Sequence, residues 1–173
     1  MTSTTTFHPL NLKWLDTRTY LFVFLFAVGN LVLPQLCHLI PSGGLIFLPV
    51  YFFTLIASYK FGLKVGLFTA ICSPLLNSVL TGMPPMVVLP VILLKSCLLA
   101  MAAAYVATTF KKVSVIHLLM VVLAYQIAGS LVEWGITQSF AKAMQDLTIG
   151  IPGMLIQVFG GWILLKKLAD YEF

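Results

Sequence analysis

The chain has 173 residues, 60% of them hydrophobic and 9% charged, with a mean hydropathy of +1.03. A soluble domain carries roughly a quarter of its residues as Asp, Glu, Lys or Arg, about three times the share present here, so a water-facing globule is excluded and an integral membrane protein is expected. The net charge of +5 is dispersed in ones and twos between apolar runs, which excludes the clustered basic face of a nucleic-acid binder.

The first segment, "MTSTTTFHPLNLKWLDTRTY", is polar, and the apolar run behind it has no small-residue cleavage site followed by soluble sequence. No cleavable signal peptide is expected, and the first span stays in the membrane. A helix crosses ~30 Å of hydrocarbon with about 20 apolar residues. Six such runs occur, at residues 19–37, 44–59, 63–80, 86–108, 114–137 and 148–165. The second is short and contains Pro49. The fold class expected is therefore all-α, with six transmembrane helices in one domain over residues 1–173. Residues 1–18 form a cytoplasmic segment, 19–165 the bundle and 166–173 a cytoplasmic tail.

Short loops rich in Lys and Arg stay inside. With the N-terminus inside, Lys13, Arg18, Lys60, Lys64, Lys111, Lys112, Lys166 and Lys167 all fall on the cytoplasmic side, and only Lys142 falls outside. Both termini are therefore expected to be cytoplasmic, in a bacterial inner membrane. The inner connections are short and basic. The outer ones, "HLIPSGG", "LTGMPPM" and "QSFAKAMQDLTIG", are rich in turn-forming and polar residues. Cys37, Cys72 and Cys97 lie in or beside apolar segments without CxxC spacing, so neither a disulfide framework nor a metal site is indicated.

The stretch "SPLLNSVLTGMPPMVVLPVILLKS", residues 73–96, interrupts the apolar pattern. Irregular backbone at membrane depth is tolerated where it is buried in protein or lines a watery cavity. Pro84-Pro85 fixes a rigid connection, and Gly82 permits backbone angles that other residues resist. Pro90 either kinks the fourth helix or occupies its first turn, and a tight hairpin without a binding role accounts for the Gly-Pro geometry equally well. Lys95 carries more weight. Placed nine residues into the fourth helix, it lies roughly 14 Å deep, where a lysine costs ~2.5–3.5 kcal/mol and faces a cavity or a partner.

Glu133 on the fifth helix is the expected partner. Gln126, Gly129, Ser130 and Glu133 recur at intervals of three and four and so form one stripe. Trp134 beside them is either an interface anchor or a wall for a flat ligand. Asn77 and Gln157 add amides at comparable depth, each explained singly by helix–helix hydrogen bonding. Together with Lys95, Glu133 and Trp134 they suggest a small-ligand pocket in the outer half. His38, in the first outer loop, either covers that pocket or is simply solvated.

Six helices of this size with polar groups near the outer face resemble the substrate-binding subunit (S component) of energy-coupling factor (ECF) vitamin transporters. Residues 38–85 carry the specific part: an outer loop ending in "FLPV", the basic turn "YKFGLKVG" and "SPLLNSVLTGMPP". The resemblance implies capture of a vitamin or precursor at the outer side. It also implies association in the lipid membrane with an ECF transmembrane coupling subunit and two ATP-binding cassette ATPases, which hydrolyse the ATP. The chain itself has no GxxxxGKS/T phosphate loop and no cofactor is expected. Family members dock through an Ala-xxx-Ala patch on helix 1; here that helix offers Ala27 and Gly29, whereas Ala100 and Ala104 on helix 4 have the right spacing. Similar members carry an acid near the position of Lys95, so a basic residue there implies a preference for a carboxylate or phosphate.

The substrate-binding residues expected are Lys95, Glu133, Trp134, Asn77 and Gln126, with His38 as cover. Lys95 would anchor an anion. Glu133 would accept hydrogen bonds from the ligand or balance the lysine in the empty site, and Trp134 would stack on a ring. One rival is a structural scaffold of the rod-shape-determining MreD type, with the same helix count. An enzyme is not expected: Glu133 is the one acid within a span and His117 sits at the opposite end, so no catalytic constellation forms.

Overall fold

A computed structural model describes residues 7–169 and 171. The outermost parts of the two expected cytoplasmic segments, residues 1–6, 170 and 172–173, lie outside the described residues. All regular structure among the described residues is helical, and six helices are long and apolar enough to cross a membrane. They are α1 (Thr17–Cys37), α2 (Gly43–Phe61), α3 (Leu63–Thr81), α4 (Leu89–Phe110), α5 (Val115–Thr137) and α6 (Ile151–Ala169). The chain is a multi-pass membrane protein. An even number of spans leaves both ends of the bundle on one face, the lysine-rich one, which the charge rule assigns to the cytoplasm.

The central helix is α2, the most enclosed of the six; its inner part, Phe52–Phe61, packs against α1, α3, α4 and α6. Large apolar side chains such as Leu55, Ile56, Leu99, Leu118 and Val121 fill the core, whereas Leu21, Phe24 and Leu25 on α1 point outward, as lipid-facing residues do. A single residue, Gly62, joins α2 to α3. Its φ of +93° lies in a region closed to side chains with a Cβ, and this permits so abrupt a reversal. Pro49 cannot donate to a helical ladder, and α2 is broken there. Leu48 takes a left-handed conformation (φ 47°, ψ 47°), Pro49–Tyr51 form a 3-10 turn, and the regular helix resumes at Phe52.

Three departures from the sequence expectation shape the outer end. The fourth helix begins at Leu89, not 86, because Pro84 and Pro85 have no N–H and the chain first closes a turn in which Pro85 O accepts from Val88 N and Leu89 N. Pro90 therefore occupies the first turn, where its missing N–H leaves no bond unmade. The sixth helix starts at Ile151 and contains a π turn over Ile156–Gly160. The last outer connection is no open loop: Phe140–Ala143 and Gln145–Thr148 are helical turns, and Ala143 is fully buried. Neither small-residue set lies on the surface. Ala27, Ala100 and Ala104 are buried, and Gly29 lies against the Phe53 ring, so these residues offer no docking patch.

Polar side chains tie α1, α2 and α3 together. Asn30 Nδ2 on α1 donates to Thr54 Oγ1 (3.1 Å) on α2 and Ser73 Oγ (3.1 Å) on α3, while its Oδ1 accepts from Phe53 N (3.3 Å). Asn77 Nδ2 on α3 donates to Asn30 O (2.8 Å) and Ser73 O (3.0 Å). Interhelical bonds of this kind contribute about 0.6 kcal/mol each. Asn30→Ala, which breaks three side-chain bonds and orphans buried partners, should lower stability by about 2 kcal/mol in detergent unfolding. Parent-like unfolding of that variant would mean the network holds nothing together.

The inner end is closed by the strap of residues 7–12. Phe7 N donates to Lys111 O (2.9 Å), Leu10 N to Lys60 O (2.8 Å) and Leu12 N to Phe61 O (3.2 Å). The buried Phe7 ring sits 5.4 Å from Tyr59, and the Tyr59 hydroxyl donates to Lys112 O (2.6 Å). The hollow space described next lies at the other end.

Candidate functional site

Lys95 is seven residues into α4 and 1% exposed. Its stem lies against Gly129 of α5, where the missing side chain leaves room for it. Its ammonium donates to Glu133 Oε2 at 2.6 Å and to Asp146 Oδ2 at 2.7 Å. The expected pairing of Lys95 with Glu133 is present, and the two face each other inside the bundle. Asp146 is the partner that sequence reasoning missed. It sits on the helical turn Gln145–Thr148, which folds back over the outer ends of α2 and α5. One signal was available, since Asp146 is the single acid in the outer connections.

The stripe on α5 faces inward as its spacing demands. Gln126, Gly129 and Ser130 are buried, and Glu133 is mostly covered at its outer end. Several polar atoms around it have no hydrogen-bond partner among the described residues: both amide atoms of Gln126, Ser130 Oγ, and Ser96 Oγ on α4. Gln157, within the π turn of α6, accepts from the Tyr125 hydroxyl at 2.9 Å through Oε1 and leaves Nε2 unpartnered. Tyr51 packs 5.4 Å from Tyr125, ring to ring, and shares the wall of a small space with Asp146. Since nearly all buried polar groups are satisfied in native structures, this set is suited to completion by a polar guest or by buried water.

A larger hollow adjoins it on the other side of α2. A cavity of about 320 Å³ opens among the outer ends of α1, α2, α3 and α4, with Pro34, His38, Leu45, Asn77, Pro84 and Ile92 among its walls. Its lining is apolar but for a few groups. Asn77 is the most informative, because both Nδ2 hydrogens are committed to Asn30 O and Ser73 O, leaving Oδ1 without a partner. A second space of about 90 Å³ shares Gly44, Leu45, Pro49, Val50 and Ile92 with the first and has Asp146 in its wall. The break in α2 is what makes room: residues 44–50 border both spaces. Pro49 lines the larger cavity, as Pro84 and Pro85 do.

The structure thus divides the expected site residues into three places. Lys95, Glu133 and Gln126 belong to the α4–α5 seam. Asn77 and the exposed His38 belong to the cavity across α2. Trp134 joins neither; it is 48% exposed and packs edge-on against Phe140, with ring centroids 5.6 Å apart. Consecutive helical residues point about 100° apart, so adjacency to Glu133 does not place its ring in the pocket. Among the described residues, no group of three His, Cys, Asp or Glu could hold a metal ion. Comparison of the chain with protein-family models, curated proteins and solved structures gives no significant match.

Proposed function

We propose that this chain is the substrate-specific subunit of an ECF-type importer in a bacterial cytoplasmic membrane. It binds a vitamin or related micronutrient at the outer side and delivers it inward with a membrane coupling subunit and two ATPases. It is a binding subunit, not an enzyme, and the ATP is hydrolysed by its partners. The observation that carries this reading is the outer cavity of about 320 Å³, walled by four helices and the outer connections and furnished with one oriented amide. Its size and sparse polarity suit a compact ring-bearing molecule. Among the described residues the strap packs across the opposite end, which does not favour a continuous pore.

Two measurements test the proposal. Full-length protein purified under mild conditions should release a discrete small molecule, identified by mass spectrometry. Co-expression with an ECF coupling subunit and its ATPases should yield a complex supporting ATP-dependent uptake of that molecule. Absence of both, with co-purification of cell-wall synthesis proteins, would support the scaffold reading instead.

A further inference from the structure

We infer that the outer hollow selects a guest bearing a positive group and a hydrogen-bond donor, and disfavours carboxylates and phosphates. The inference rests on the importer reading only for the fate of the guest, not for its chemistry. Lysine at position 95 taken alone suggests the opposite, an anion site. The geometry reverses that, because two carboxylates flank one ammonium. With both acids ionised, the cluster carries one net negative charge. Two of the three ammonium donors are occupied, and Lys95 is 1% exposed, so an incoming anion reaches no free cation and meets like charge.

Asp146 is the member of the cluster that borders open space, in the wall of the 90 Å³ hollow. A guest end that enters that hollow against Leu45, Val50 and Ile92 meets Asp146. The second feature is independent of the acids. Asn77 is 1% exposed and its Oδ1 is unpartnered, with the amide held in orientation by two main-chain acceptors. A fixed carbonyl oxygen beside a cavity accepts a hydrogen bond and cannot donate one. A guest N–H or O–H that reached it would be accepted; a carboxylate oxygen would not. A buried acceptor left unpaired is costly, so the donor contributes specificity as well as affinity. Tyr51 lines the 90 Å³ hollow together with Asp146, and aromatic faces favour cations. His38, exposed at the edge of the larger cavity, is the other titratable group of these walls.

The test is charge selectivity with matched probes on purified full-length protein in nanodiscs. Equilibrium dialysis is run against three equimolar amine and acid pairs: tryptamine with indole-3-acetate, benzylamine with benzoate, and pyridoxamine with 4-pyridoxate. Retained species are quantified by mass spectrometry. The amine should be enriched at least about ten-fold in every pair that binds. Asp146→Asn, nearly isosteric and leaving the cluster neutral, should bring that ratio close to one. Methylating the indole nitrogen of tryptamine should weaken retention by about ten-fold, through loss of the donor to Asn77. Preference for the acid, or no retained amine in any pair, overturns the inference. Equal retention of tryptamine and 1-methyltryptamine overturns the part assigned to Asn77. Should Asp146→Asn fold poorly, the parent ratios decide the matter alone. Amine selectivity without ATP-dependent uptake leaves this inference standing and removes the importer; ATP-dependent uptake of an anionic vitamin does the reverse.

Discussion

Lys95→Met is expected to lower stability by about 3 kcal/mol or more and to keep the preference for amines, because both carboxylates remain, while the protein still inserts into the membrane. The cause lies less in the lost lysine than in what remains. Glu133 and Asp146, both held near Nζ and both mostly covered, would face each other without the cation that separates them. Removing one partner of a buried ionic group costs much more than replacing the whole group by neutral side chains. Adding Glu133→Gln and Asp146→Asn to Lys95→Met should therefore recover most of the stability but lose the preference for amines. Thermal unfolding in detergent reads the first effect and dialysis with the amine probes the second. A Lys95→Met protein as stable as the parent would show that the two carboxylates do not depend on the lysine.

Gly66→Val is expected to cost about 3 kcal/mol, for a reason that involves no charge. At Gly66 the α3 backbone crosses Ser58 of α2 so closely that an added Cβ would lie 2.8 Å from Ser58 Cα and 2.7 Å from its Cβ, overlapping the hydroxyl. No rotamer relieves a clash with backbone, so α2 and α3 must separate, and with them the core around Leu55 and Ile56. Ser58→Gly in the same chain should recover part of the loss. Gly135→Ala on α5, which meets nothing within 4 Å, should leave unfolding within about 1 kcal/mol of the parent. Equal unfolding of Gly66→Val and the parent would exclude the close crossing.

What the sequence disclosed follows from how hydrocarbon constrains a chain. Apolar runs of sufficient length can be little else than spans, so all six were legible, with errors only at their ends. The start of the fourth was misread because apolar Met86, Val87 and Val88 count toward hydropathy while the prolines before them delay the helix. Lys95 and Glu133 could be paired because a deep lysine requires an anion and one span carried an acid. Asp146 could not be placed from spacing alone. Its position depends on a connection folding back through two helical turns with Ala143 buried, and no periodicity records that. Asn30 was likewise silent, since a single amide does not announce three partners on two other helices. The broken second helix was visible as Pro49, yet its consequence, a gap wide enough to open space on both sides of α2, is a property of the packed bundle.

The strap across the inner end has a bearing on biogenesis. Its acceptors at Lys60, Phe61 and Lys111 are synthesised long after Phe7, Leu10 and Leu12. Leu10 and Leu12 can be matched once the second helix is made, but Phe7 N must bond water until the fourth helix and Lys111 have followed. Until then one end of the strap is unpinned, and the seal over the base of the nascent bundle is incomplete.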